Sequence, residues 1–175
     1  MDGNNATDLK ALGDRLRLLE DERSILQTLY RYGHTIDFGL AKEWADCFTE
    51  NGVFETRVRE SGPPTRYEGR SALTQFVVLS QPPGAYVKHG VLEPVITIDG
   101  NEASVVTYWF MLRERGISEP YLRGFGYYRD RMVRCADGKW RFKERVAIAE
   151  ASTSAQPDGK LAGLPESIPA SPNPT

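Results

Sequence analysis

From Leu16 onward the chain places apolar residues at helical spacing: Leu18, Leu19, Ile25, Leu26, Leu29, Tyr30, Gly33 and Ile36, with Gly39 as a natural stop. A second helix is predicted over LAKEWADCF, with Leu40, Trp44, Ala45 and Phe48 on one side and ENG closing it. GVFETRV then reads as a short strand, SGPP as a loop, and TRYEG as a strand that pairs back. SALTQFVVLS restores the helical period, with Ser71 as its expected N-cap and QPPG as its end. From residue 86 the period shortens to that of long strands: VKHGVLEPVITI, EASVVTYWFMLRER, YLRGFGYYRDRMVR and WRFKERVAIAE. The first and last connections, IDGN and ADGK, carry the Asp-Gly signal of tight hairpins.

Three helices followed by a meander of long strands predict an α+β domain, its helices packed on one face of a curved antiparallel sheet. The glycines of RGFGYY lie inside a strand and read as kinks in that curvature rather than as a phosphate-binding loop. Residues 1–12 are polar and expected to fray, 13–151 form the domain, and 152–175 are expected to be disordered. That tail is rich in Pro, Ser and Gly and lacks periodicity.

Composition narrows the function classes. The 175 residues are 40% hydrophobic and 26% charged, a balance that supports one globular domain. A net charge of −2 gives no footprint for a polyanion, and the arginines of RVRE and YRDRMVR are interleaved with carboxylates. Nucleic acid is therefore not an expected partner. Cys47 and Cys135 have no CxxC neighbour and no metal-ligand spacing, so both read as free thiols in a reducing compartment. With no apolar leader and no membrane-length apolar run, the expected location is the cytoplasm, away from the membrane.

The candidate chemistry starts at YRYGHTID, residues 30–37, where a core helix would carry Leu and Ala. With Leu26 at zero and about 100° per residue, Asp37 falls near +20° and Tyr30 near +40°, inside the apolar stripe. On the same wheel His34 falls near +80° and Tyr32 near −120°, toward the edges. A carboxylate in a helix's last turn opposes the helix dipole and is seldom buried without a partner. The other histidine, His89, opens the first long strand, where alternation groups it with Val91, Glu93 and Val95. Both strand faces carry apolar residues, so spacing leaves open which one meets the helices. An Asp–His pair would make a general base, since the carboxylate fixes the imidazole tautomer. A metal site drawn from His34, Asp37, His89 and Glu93 is disfavoured because His34 points away. A serine hydrolase is disfavoured by the lack of a GxSxG elbow.

These segments resemble a known family. YRYGHTID, WADCFTENGVFE, KHGVLEPVITIDGNEA, GYYRD and DGKWRFKER, within residues 18–150, resemble the SnoaL-like branch of the cone-shaped, nuclear-transport-factor-2-like superfamily. That branch includes polyketide cyclases, scytalone dehydratase, bile-acid dehydratase and hexachlorocyclohexane dehydrochlorinase. The resemblance implies a cofactor-free site in which Asp37 and His89 form the dyad. It also implies that Tyr32 sits in the pocket, with Tyr30 as the competitor favoured by the wheel, and that Arg145 is directed at the substrate. Relatives often have Asn where this chain has Glu93, which either adds a second carboxylate to the pocket or pairs structurally with an arginine such as Arg145.

The expected activity is a lyase of dehydratase type on a small hydrophobic ring-bearing substrate, with Phe54, Trp109 and Tyr128 beside Tyr30 and Glu93 as substrate contacts. An isomerase or cyclase using the same base, or a non-catalytic ligand-binding or subunit-interface protein, remains open. A homodimer or homotrimer through the outer sheet face is the expected assembly.

Overall fold

The structure is a computed structural model that describes residues 2–81, 87–114 and 119–152. Its elements run α1 (Asp2–Asp37), α2 (Ala41–Ala45), β1 (Phe48–Val58), β2 (Thr65–Glu68), α3 (Gly69–Ser80), β3 (Val87–Asp99), β4 (Glu102–Glu114), β5 (Pro120–Arg134) and β6 (Trp140–Ser152). The strands form one six-stranded sheet in the order β2-β1-β6-β5-β4-β3. Pairing is antiparallel except between β1 and β6, which run parallel because the chain passes through the whole meander before β6 returns beside β1.

α1 is longer than its apolar stripe. It starts at Asp2 and incorporates the segment expected to fray, whose Ala, Leu and Lys residues propagate an existing helix at little cost. Packing begins only further along: Leu9, Leu12, Leu16 and Leu19 are exposed, while Ile25, Leu29, Tyr32 and Ile36 are buried. The helix ends in a Schellman cap, with the Leu40 N–H on the Thr35 carbonyl and the Gly39 N–H on the Ile36 carbonyl. Gly39 supplies the required left-handed φ of 66°.

α2 stops at Ala45, and Phe48 already belongs to β1. α3 starts at Gly69 with Glu68 in the cap position and no side-chain cap, so Ser71 lies inside the helix rather than at its cap. The hairpin between β3 and β4 turns on Gly100 and Asn101, and Gly138 takes a positive φ in the turn before β6. The expected tail, from residue 153, lies outside the described residues.

Register shifts interrupt the β1–β6, β3–β4, β4–β5 and β5–β6 pairings, and such bulges add bend and twist to the strands. At Gly126 any Cβ would sit 2.0 Å from the Ile148 carbonyl oxygen, so only glycine permits that approach of β5 to β6. The concave face closes over a core centred on Tyr32, whose ring meets those of Trp44, Phe48, Phe54, Tyr128 and Phe142 at 5.2–6.3 Å between centres.

Candidate active site

Asp37 is the last residue of α1, and His89 lies three residues into the neighbouring β3. The imidazole Nδ1 stands 2.5 Å from Asp37 Oδ1. The backbone N–H of His89 donates to both carboxylate oxygens, at 3.0 and 3.2 Å. These bonds compensate the carboxylate for its place at the negative end of the helix dipole. A carboxylate only accepts, so Nδ1 is the donor in this contact, and the neutral tautomer that makes it has its lone pair on Nε2. The side chains of His89 and Asp37 are only 6% and 7% exposed. Outside the pair, the Lys88 ammonium lies 4.3 Å from the centre of the Phe38 ring and ties the same helix end to the same strand.

His89 lines a cavity of about 470 Å³, within the usual range for small-molecule sites. Tyr32, Phe54, Trp109 and Tyr128, all expected at the site, line it too, as do Ile36, Phe76 and Met111. Burial, with the neighbouring Tyr128, pushes the Tyr32 phenol well above its ordinary range, and burial pushes Tyr128 up to about 12 against the pull of Arg145. Both are therefore neutral hydrogen-bond donors at physiological pH.

Three expectations do not hold in place, those for Tyr30, Glu93 and Arg145. Tyr30 is 50% exposed and faces away from the cavity. The buried stripe is centred on Ile25, Leu29 and Ile36, about 70–80° from the Leu26 reference, which puts Tyr32 inside, Tyr30 outside and Asp37 at the edge. Glu93 is also exposed and does not line the cavity. A register shift between Leu92 and Val95, with Glu93 at a φ of 50°, breaks the alternation that would have set it beside His89.

Arg145 does not reach the cavity wall. It is fully buried, donates from Nε and Nη2 to the two oxygens of Asp130 at 2.8 and 2.7 Å, and is not bonded to Glu93. Its guanidinium carbon lies 4.0–4.2 Å from the ring centres of Tyr128, Phe142 and Tyr32, beneath the phenols. Burial opposes charge on both partners and pushes the Asp130 carboxyl up, but on Arg145 the pull of Asp130 outweighs burial and raises the guanidinium further. The two-bond geometry is that of an ion pair.

Asp130 was missed in the sequence, although strand alternation with Tyr128 and Met132 marks it as inward. His34 is exposed. Among the described residues no group of three metal-ligating side chains converges, and no helix is long and apolar enough to cross a membrane.

The fold agrees with what the chain is similar to. Residues 17–146 match the model of the SnoaL-like domain, and the chain belongs to that family. The family includes polyketide cyclases and dehydratases. Among solved structures, an NTF2-like protein with a cystatin-like fold from Novosphingobium aromaticivorans is 22% identical with a TM-score of 0.73, over 87% of this chain and 92% of that one. A protein of unknown function from Mycobacterium tuberculosis, Rv3472, is 24% identical with a TM-score of 0.68, over 79% and 76%. A candidate scytalone dehydratase from N. aromaticivorans is 19% identical with a TM-score of 0.64, over 86% and 97%. No curated protein matches the chain significantly.

Proposed function

We propose that the protein is a lyase of dehydratase type acting on a small, ring-bearing hydroxycarbonyl compound. The observation that carries this reading is the 2.5 Å contact between Asp37 and His89 Nδ1, which leaves Nε2 as a base at the wall of a largely apolar cavity. In this scheme Nε2 removes a proton from the carbon beside the carbonyl. The electron pair left on that carbon forms the new double bond, and the β-hydroxyl departs as water, taking its proton from the imidazolium or a tyrosine. Tyr32 and Tyr128, held neutral, donate to the oxygen on which charge develops. Asp37 orients the ring and stabilises the imidazolium, and Arg145 positions the two phenols from below. The step needs no cofactor.

The same base could instead return the proton to another carbon, or release an enolate onto a second carbonyl, which would be an isomerase or a cyclase. A panel of hydroxylated and ketonic ring compounds incubated in D₂O separates these readings by mass spectrometry. Loss of water identifies the lyase, whereas deuterium uptake or rearrangement without it identifies the alternative. Neither signal, or equal signals from wild type and His89→Gln, would overturn the enzymatic reading and leave a ligand-binding protein. Self-association through the outer sheet face, where Leu92, Tyr108, Leu112 and Phe125 are exposed, belongs to the same proposal.

A further inference from the structure

The charged groups on the cavity wall are unbalanced. Among its described lining residues are Arg57, Arg113, Arg123 and His89, and none carries a carboxylate. Arg57 is neutralised by Glu55, whose Oε1 lies 2.5 Å from its Nε. Asp37 sits behind His89, engaged by its ring and its backbone N–H. Arg113 and Arg123 have no hydrogen bond or ion pair with any described residue, although both are only partly exposed. Two half-buried guanidinium groups facing one cavity without a counter-charge repel each other, and an anion placed between them relieves that repulsion.

Their placement is built into the sheet. On β4, Met111 is the register partner of His89 and Arg113 that of Val87, so Arg113 follows His89 along the cavity wall by two residues. That is about 7 Å along the strand. On β5 the register slips between Met111–Gly124 and Leu112–Leu122, and the slip leaves Arg123 as the extra, unpaired residue. The bulge delivers it to the cavity wall next to Gly124.

We infer that Arg113 and Arg123 bind a carboxylate on the ligand. The inference rests on the proposed use of this cavity and names the class of its occupant: a ring-bearing organic acid. Arg123 enters from β5, two strands from His89 at nearly the same register level, and Arg113 from β4 two residues further along. The acid group is a handle held by β4 and β5, and the carbonyl that activates the carbon beside His89 is a different group. A planar carboxylate suits the two-pronged guanidinium, and the surrounding Val58, Met111 and Ala149 cover the ring.

Binding measured by calorimetry needs no turnover, so it separates this inference from the lyase reading. The probes are 2-naphthoate, its methyl ester, 2-naphthamide and 2-naphthyl phosphate, at low and moderate salt. The expected result is that 2-naphthoate binds at least about 10-fold more tightly than the ester and amide, with the difference shrinking as salt rises. His89→Gln should retain that preference even if it abolishes turnover. The double variant Arg113→Gln/Arg123→Gln should lose it while binding the ester as before, and Arg113→Lys/Arg123→Lys should recover part of it. Should the glutamine pair fail to fold, by its melting curve, each single glutamine variant should lose part of the preference. The inference is overturned if the acid binds no better than its neutral analogues, if it does not bind, or if the preference survives removal of both arginines. Tighter binding of the phosphate than of the carboxylate would overturn the carboxylate assignment in favour of a phosphate ester.

Discussion

Two buried carboxylates in this domain hold a basic partner from another element, and they serve it in opposite ways. Asp130 on β5 grips Arg145 on β6 with two hydrogen bonds, both side chains are 0% exposed, and three aromatic rings crowd the guanidinium. Asp37 at the end of α1 holds His89 on β3 by one ring nitrogen and leaves the other free, and the imidazole lines the cavity. Arginine keeps its charge at every accessible pH, whereas histidine changes charge near neutrality. The first pair fixes a permanent charge under the phenols, and the second fixes a proton that can move. Burial of an acid–base pair does not by itself mark a catalytic site; in the proposed function the nitrogen left open at the cavity does.

Removing the movable proton should have the largest effect. His89→Gln should lower turnover by about 10²–10⁴-fold with the melting temperature nearly unchanged, measured on whichever substrate the D₂O panel identifies. The sealed pair should behave in reverse. Arg145→Met leaves Asp130 buried without its partner and should cost about 3–5 kcal/mol in urea unfolding, while Asp130→Leu combined with Arg145→Met should recover most of it. If the single variant unfolds like wild type, Arg145 is not the structural cation described here.

The phenols between the two pairs should show an intermediate effect. Tyr128→Phe should lower kcat by about 10²-fold, as for loss of one oxyanion donor, and change stability by no more than about 1 kcal/mol. Because burial holds Tyr128 up at about 12, its phenol stays protonated through pH 10, and turnover should show no alkaline fall that the Phe variant abolishes. The smallest effect concerns the thiol of α2's end. Burial pushes Cys47 up to about 11, so the native protein at pH 8 should resist iodoacetamide there and react faster at Cys135, as read by peptide mass spectrometry.

Much of this was legible beforehand, and the misses have physical causes. The order of elements follows from the change in apolar period; the Asp37–His89 contact was expected from one misplaced carboxylate together with the family resemblance, which chose His89. Tyr30 was misplaced because the wheel was centred on Leu26, which is only half buried, instead of on Ile25 and Leu29. Glu93 fell to a bulge, whereas Arg145 faces the core as the resemblance implied but is held by Asp130 beneath the phenols. A one-residue slip reverses every side chain beyond it, and the slip after Leu92 has no clear local signature. The bulge that brings Arg123 to the cavity is invisible in the sequence for the same reason. Asp130 could have been found, since simple alternation from Tyr128 and Met132 makes it an inward carboxylate in need of a partner.

In the proposed mechanism Asp37 holds the His89 proton on Nδ1 and keeps Nε2 free as a base. Nitrogen-15 NMR of the histidine side chains at pH 8 reads this directly, and the chain's only other histidine, the exposed His34, serves as an internal reference. His89 should show a protonated Nδ1 and an unprotonated Nε2, with His34 showing the averaged shifts of a solvated ring. In Asp37→Asn the preference should relax toward the Nε2–H form. A wild-type His89 already in the Nε2–H form, or one unaffected by Asp37→Asn, would contradict the account.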